Sequence, residues 1–99
     1  MPTSDPVTTE KELTSLVADY AKWYGWLRYH TFDSRRSAPG FPDEVLVRPP
    51  RLIFAELKTE KGRTSTAQKH WLETLRLVTN LEVYVWRPSD WPEIQMILR

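Results

Sequence analysis

Apolar residues recur along the chain at two different spacings, which predict helices in some segments and strands in others. Between Leu13 and Tyr24 the apolar positions lie three or four residues apart, as on an amphipathic helix, and Gly25 ends the pattern. Two runs rich in Val, Leu, Ile and Phe, at 43–48 and 52–58, predict strands separated by the breaker Pro49-Pro50.

The remaining segments complete a mixed α/β order. Strands are also predicted at 26–32 and 82–86. A second helix follows Ser65, with Val78 last in its inward apolar stripe, and a last helix follows Asp90, which forms a predicted capping box with Glu93. The predicted order is therefore α-β-β-β-α-β-α, an α/β (mixed α+β) fold with a central four-stranded mixed sheet flanked by helices.

Composition narrows the class of protein. With 99 residues the chain makes one domain, predicted to span 8–99 behind a disordered lead-in at 1–7. The absence of cysteine excludes disulfides and thiolate metal sites. The sequence contains no Gly-rich phosphate loop, so we expect no nucleotide cofactor. No apolar run reaches membrane length and no signal core is present, so we expect no membrane partner and a cytoplasmic location. The net charge of +1 means that any DNA contact must come from clustered positive charge.

The end of the 52–58 strand carries the candidate chemistry. Glu56 and Lys58 emerge on the same face, and apolar residues on both faces predict a central, buried strand. Asp43 begins the neighbouring strand, and two carboxylates there repel each other unless a metal ion or Lys58 lies between them. A structural salt bridge with Lys58 is the alternative interpretation.

These residues resemble a known nuclease signature. Pro42-Asp43 followed by Glu56-Leu57-Lys58, with twelve residues between the two acids, is similar to the PD-(D/E)XK pattern. The resemblance is closer to one branch, the VRR-NUC nucleases, and in particular to their small stand-alone phage and bacterial members. It covers roughly residues 10 to 91 and rests on these features: Gly25-Trp26, His30, Ser34-Arg35-Arg36-Ser37, Gly40-Phe41-Pro42-Asp43, Ala55-Glu56-Leu57-Lys58 and Gln68.

The resemblance implies a restriction-endonuclease-like core and a metal-dependent DNA endonuclease that hydrolyses phosphodiester bonds, with selectivity for branched or junction DNA. Oxygen ligands favour Mg2+ or Mn2+. The implied metal ligands are Asp43, Glu56, the Leu57 carbonyl and a first-helix acid, for which Glu10 fits the family spacing better than Glu12. The implied catalytic residues are Asp43, Glu56, Lys58 and Gln68. Gln68 also lies at capping-box spacing from Ser65, and one amide is not expected to serve both roles fully.

Candidate DNA contacts cluster before Asp43 and after Lys58. They are His30, Arg35, Arg36, Lys61 and Arg63. The alternative for His30 is a hydrogen-bonded core or rim residue, and the alternative for the four cations is solvated surface. One departure from the family is Glu44, which stands where an apolar residue is usual. We expect it to face away from Asp43, and either to lie at a sheet edge or to meet a partner.

The expected partners are DNA, duplex or branched, and a second copy of the chain, because similar stand-alone nucleases form homodimers. The resemblance places the protein in a bacterial cell or a phage-infected host. Two other functions stay open. A non-cleaving DNA-binding or assembly module on the same fold is consistent with the near-neutral charge and Glu44, and a protein-interaction domain is consistent with five Trp in so short a chain.

Overall fold

The computed structural model of the chain describes residues 9–31 and 36–99, and its element order is the predicted one. The predicted lead-in at 1–7 and the candidate contact Arg35 lie outside the described residues. In chain order the elements are α1 (Glu10–Trp23), β1 (Leu27–His30), β2 (Glu44–Arg48), β3 (Arg51–Leu57), α2 (Thr66–Arg76), β4 (Glu82–Trp86) and α3 (Trp91–Leu98), with a 3-10 turn at Pro88–Asp90.

The four strands form one mixed sheet in the order β1-β2-β3-β4. The first three strands pair antiparallel, whereas β4 pairs parallel to β3. A parallel pair needs a crossover connection, and α2 supplies it. Strand β3 therefore has a neighbour on each side, which confirms that the strand carrying Glu56 is central.

The two faces of the sheet are covered differently. The main core joins α1 and α3 to the β2 and β3 side chains on one face, among them Leu46 and Ile53. Helix α2 packs over β4, and its buried residue Leu72 lies outside that core cluster. Because strand side chains alternate, Glu56 points away from the α1 face and towards α2.

Glu44 has a structural explanation. It lies on β2, an internal strand of the sheet, and is fully buried on the α1 face. The edge-position alternative is therefore wrong, and the partner alternative is confirmed. Arg28 donates to its two oxygens at 2.6 and 2.8 Å, and His30 Nδ1 lies 2.6 Å from Oε2. A buried carboxylate is tolerated when it is paired and hydrogen-bonded in this way.

Two sequence predictions about helix ends are wrong. Helix α2 ends at Arg76, so Val78, predicted to continue the inward stripe, lies beyond the helix and is exposed. Asp90 does not form a capping box with Glu93; its Oδ2 instead accepts a hydrogen bond from the Arg87 backbone N–H at 2.9 Å. The 3-10 turn explains the difference, since it places Asp90 over the preceding residues.

No helix in the described part of the chain is long and apolar enough to span a membrane.

We predict that Glu44→Gln lowers the free energy of unfolding by about 3 to 5 kcal/mol, because it removes the negative partner of the half-buried Arg28. The matched control is Glu82→Gln, whose bidentate pair with Arg51 is more exposed on both sides and is expected to contribute about 1 kcal/mol. Urea unfolding of both variants measures the difference. Equal losses in the two variants would contradict the account of Glu44.

Candidate active site

Asp43 is held at the start of β2 by contacts from both neighbouring strands. Its backbone carbonyl accepts a hydrogen bond from the Thr31 N–H at 2.9 Å, and its Oδ2 accepts one from the Leu57 N–H, also at 2.9 Å. The Thr31 hydroxyl donates to the carbonyl of Pro42. The carboxylate is thereby fixed beside the end of β3, where Glu56 and Lys58 lie.

The segment before Asp43 depends on a close approach to α2 at Gly40. This residue has φ +81°, and a Cβ there would lie 2.4 Å from the backbone carbon of Ala67. The Trp71 indole N–H donates to the Pro39 carbonyl at 3.1 Å, and the Phe41 ring meets the Trp71 ring edge to face. A side chain at position 40 is excluded by both space and backbone conformation. The glycine thus allows the segment before Asp43 to pass close to the first turn of α2.

Glu56 is almost completely buried, with 2% of its surface exposed. Its Oε2 accepts a hydrogen bond from Gln68 Nε2 at 2.7 Å, and the Lys58 Nζ lies 3.8 Å from the same oxygen. Its Oε1 is buried without a hydrogen-bond partner among the described residues. Burial, and then the negative charge of Asp43, raise the pKa of Glu56 from 4.5 to about 8. The site therefore holds a carboxyl group that needs a proton or a cation.

Gln68 caps α2 and also contacts Glu56. Its Oε1 accepts from the Ser65 N–H at 2.8 Å and the Ser65 hydroxyl accepts from the Gln68 N–H, which completes the capping box of α2. Its Nε2 binds Glu56. The carbonyl and amino ends of the side chain are separate groups, so one amide makes both contacts, while the catalytic role of Gln68 stays a prediction. The helix cap and the carboxylate are therefore coupled through one residue.

The residues present fit a divalent cation. Asp43 and Glu56 supply carboxylate oxygens side by side, and the unpartnered Glu56 Oε1 is a buried acceptor that a hard cation satisfies. In the part of the chain that the structure describes, no group of three or more His, Cys, Asp or Glu side chains is placed to hold a metal. Glu10 is the exposed first residue of α1 and does not join the pair. Glu12 donates its backbone N–H to the Thr9 hydroxyl that caps the same helix.

The candidate DNA contacts lie in three places. Lys61 and Arg63 are exposed on the loop after β3, and Arg36 is exposed before Gly40. His30 is bound to Glu44 on the opposite face of the sheet from Glu56, with part of its ring exposed. Lys58 is mostly buried beside Glu56. The structure therefore does not gather all of the predicted cations into a single patch.

Sequence reasoning missed Arg87, which holds the loop that carries Lys61 and Arg63. Its Nη1 donates to the carbonyls of Thr59 at 2.7 Å and Gly62 at 2.6 Å. Glu60, on the same loop, accepts hydrogen bonds from the Ser89 hydroxyl and backbone N–H. The strand order could have indicated this contact. Because β4 is parallel to β3, the residue after β4 lies beside the loop that follows β3.

We predict that ionisation of Glu56 destabilises the metal-free fold as the pH rises. The pKa of this carboxyl is about 8 when folded and 4.5 ordinarily, so between these values the folded state holds a proton that the unfolded state has lost. The bound proton contributes its full stabilisation at pH values below 4.5, and this stabilisation is lost as the pH rises through about 8. Glu56→Gln stays neutral and escapes this loss.

Urea unfolding in chelator at about pH 5 and about pH 9 measures the effect. The wild type should lose on the order of a few kcal/mol relative to Glu56→Gln over this range, at roughly 1.4 kcal/mol per pKa unit. Glu73→Gln, which changes an exposed carboxylate on α2, is the matched control and should track the wild type. Parallel pH dependence in the wild type and Glu56→Gln would show that Glu56 does not titrate in this range.

Comparison with known proteins supplies the family. The family model described as the VRR-NUC domain matches residues 7–89, which includes both carboxylates, Lys58 and Gln68. Comparisons with curated proteins and with solved structures gave no match. The matched range covers most of the chain and agrees with the resemblance carried by the Pro42-Asp43 and Glu56-Leu57-Lys58 motifs. The chain therefore belongs to the VRR-NUC family of nuclease-type domains, which implies a nuclease acting on DNA.

Proposed function

We propose that this protein is a metal-dependent DNA endonuclease that hydrolyses phosphodiester bonds and prefers branched or junction DNA. The observation that carries the proposal is the buried Glu56 carboxyl beside Asp43, with one oxygen that lacks a partner among the described residues. A folded chain tolerates such a pair when a cation is supplied from outside, and oxygen ligands select Mg2+ or Mn2+.

Asp43 and Glu56 would hold the ion. When bound, a divalent cation offsets the negative charge of the phosphate and makes a nearby water more acidic. The Leu57 carbonyl stays a predicted ligand, and it is supported by the hydrogen bond that draws the Leu57 peptide against Asp43. Glu10 also stays a predicted ligand, although its exposure at the start of α1 gives it no support.

Lys58 is the proposed catalytic cation of the chain itself. Its ammonium group lies 3.8 Å from Glu56 and retains some exposure. It would therefore contact both the carboxylate and a phosphate bound next to it. There it can orient the attacking water or offset charge that develops on the phosphate. Gln68 fixes the Glu56 side chain by binding Oε2, so that Oε1 is the oxygen free of a hydrogen bond among the described residues.

The exposed cations would bind the DNA backbone. Lys61 and Arg63 are presented on a loop that Arg87 clamps, so their main chain is already ordered before DNA binds. Arg35 and Arg36 precede the Asp43 segment and are proposed to contact phosphates. His30 remains a predicted contact through the exposed part of its ring.

A homodimer in the bacterial or phage-infected cytoplasm completes the proposal, since two copies present two sites to a branched substrate.

The alternative is a DNA-binding or assembly module that does not cut. Glu44 no longer supports it, because that departure from the family is satisfied by Arg28 and His30 within the fold. The discriminating experiment is a cleavage panel of labelled four-way junction, flap, nicked and plain duplex DNA with Mg2+ or Mn2+. Cleavage with either ion, strongest on the branched substrates, supports the proposal. Binding without cleavage of any of them supports the alternative.

We predict that Lys58→Met folds and binds metal but loses cleavage by about 100-fold or more, because it removes the group that positions or activates the water. Asp43→Asn should lose both cleavage and the rise in melting temperature that millimolar Mn2+ gives the wild type. Single-turnover cleavage and a thermal shift, each with and without Mn2+, provide the two readouts.

The matched control is Lys22→Met, which removes an exposed lysine in the last turn of α1 and should leave both readouts unchanged. A Lys58→Met protein that cuts at close to the wild-type rate under saturating Mg2+ would remove Lys58 from the catalytic role. A melting temperature of the wild type that Mn2+ does not move would count against the metal site itself.

We predict a homodimer in solution. Light scattering at micromolar concentration should give about twice the chain mass of 11.7 kDa. A mass of one chain at every concentration, in a protein that still cuts junctions at paired positions, would contradict the dimer.

A further inference from the structure

Tyr29 presents an aromatic ring on the same face of the sheet as the two carboxylates. Its neighbours Arg28 and His30 both bind Glu44 on the α1 face, so alternation along β1 turns Tyr29 to the other face. Tyr29 pairs with Val45, and the hydrogen bond from Thr31 to Asp43 continues this register by one residue beyond β2, which makes Asp43 the diagonal neighbour of Tyr29. Diagonal neighbours have Cα atoms about 7 to 8 Å apart, within reach of an aromatic side chain.

More than half of the Tyr29 side chain is exposed, and it has no specific partner in the described part of the chain. Tyr29 is 57% exposed, and no hydrogen bond or ring contact reaches its side chain among the described residues. Helix α2 covers this face of the sheet over β4, at the opposite edge from β1. Leu27, the next residue along β1 on this face, is 74% exposed. The structure therefore leaves an apolar ring uncovered beside Asp43.

Resting on the proposed nuclease function, we propose that Tyr29 is a substrate-positioning residue that stacks on the base of an unpaired nucleotide next to the scissile phosphate. Aromatic side chains that line nucleic-acid grooves bind bases in this sequence-tolerant way. A base inside a duplex is already stacked on both faces, so only an unpaired or terminal nucleotide offers a free face to a side chain on the surface. Tyr29 thus selects DNA that has unpaired nucleotides at the cutting site.

A nucleotide fits this surface better than a second copy of the chain does. A protein subunit seated on Tyr29 would cover the approach to its diagonal neighbour Asp43 and so block the carboxylate site. A nucleotide stacked on the ring extends its own phosphate towards that site. The exposed loop cations Lys61 and Arg63 are available to the flanking backbone.

The test compares a labelled oligothymidine with an abasic strand of the same length, by fluorescence anisotropy in chelator so that nothing is cut. Tyr29→Ala should lower affinity for oligothymidine by about tenfold and leave the abasic strand within about twofold, because only the first strand has bases to stack. Tyr29→Phe keeps the ring and should bind both strands like the wild type. Leu27→Ala is the matched control on the same strand and face, and it should also bind both strands normally.

Three results would overturn the assignment: unchanged oligothymidine binding in Tyr29→Ala, an equal loss on both strands, or a tenfold loss in Tyr29→Phe. A halved mass of Tyr29→Ala in light scattering would also overturn it, since the ring would then belong to a subunit interface. If the wild type cuts DNA while Tyr29→Ala binds and cuts equally well, only the Tyr29 assignment fails. If the wild type neither binds nor cuts DNA, the proposed function fails with it.

Discussion

At the end of β3 the fold buries the carboxylate of Glu56 next to a second, partly exposed carboxylate, that of Asp43. Removing a carboxylate from water is costly unless it is paired, and a second one nearby adds repulsion. The Leu57 N–H binds Asp43 and the Gln68 amide binds Glu56, but the second Glu56 oxygen remains without a protein partner among the described residues. The surrounding elements, from the Gly40 loop to the cap of α2, are arranged to hold this pair in place.

Glu44 shows what the same fold does with a carboxylate that has only a structural role. It is buried as deeply as Glu56, one strand away, yet Arg28 and His30 together satisfy both of its oxygens. Glu56 has one amide partner and a lysine 3.8 Å away, and its pKa rises to about 8 because burial and Asp43 outweigh these contacts. The contrast supports the proposal that Glu56 binds a cation from outside the chain.

The fold was predictable because its signals are local, whereas much of the site was not. Alternation along β3 and the spacing between Asp43 and Glu56 predicted the central strand and the candidate pair. Sequence alone did not show that Gln68 divides its two ends between Ser65 and Glu56, because this depends on how α2 sits on the sheet. It also missed Arg87, whose role arises from the parallel pairing of strands distant in sequence. Long-range packing of this kind has no local signature.

Whether a cation takes the place of the Glu56 proton is tested by the number of protons released when the protein binds Mn2+. Calorimetric titration in two buffers of different ionisation enthalpy gives that number. Because the pKa of Glu56 is about 8, this carboxyl holds a proton near neutral pH that a bound cation must displace. We expect release of close to one proton per Mn2+ near neutrality, falling towards zero about two pH units above that pKa. Failure to bind Mn2+, or binding without proton release near neutrality, would contradict it.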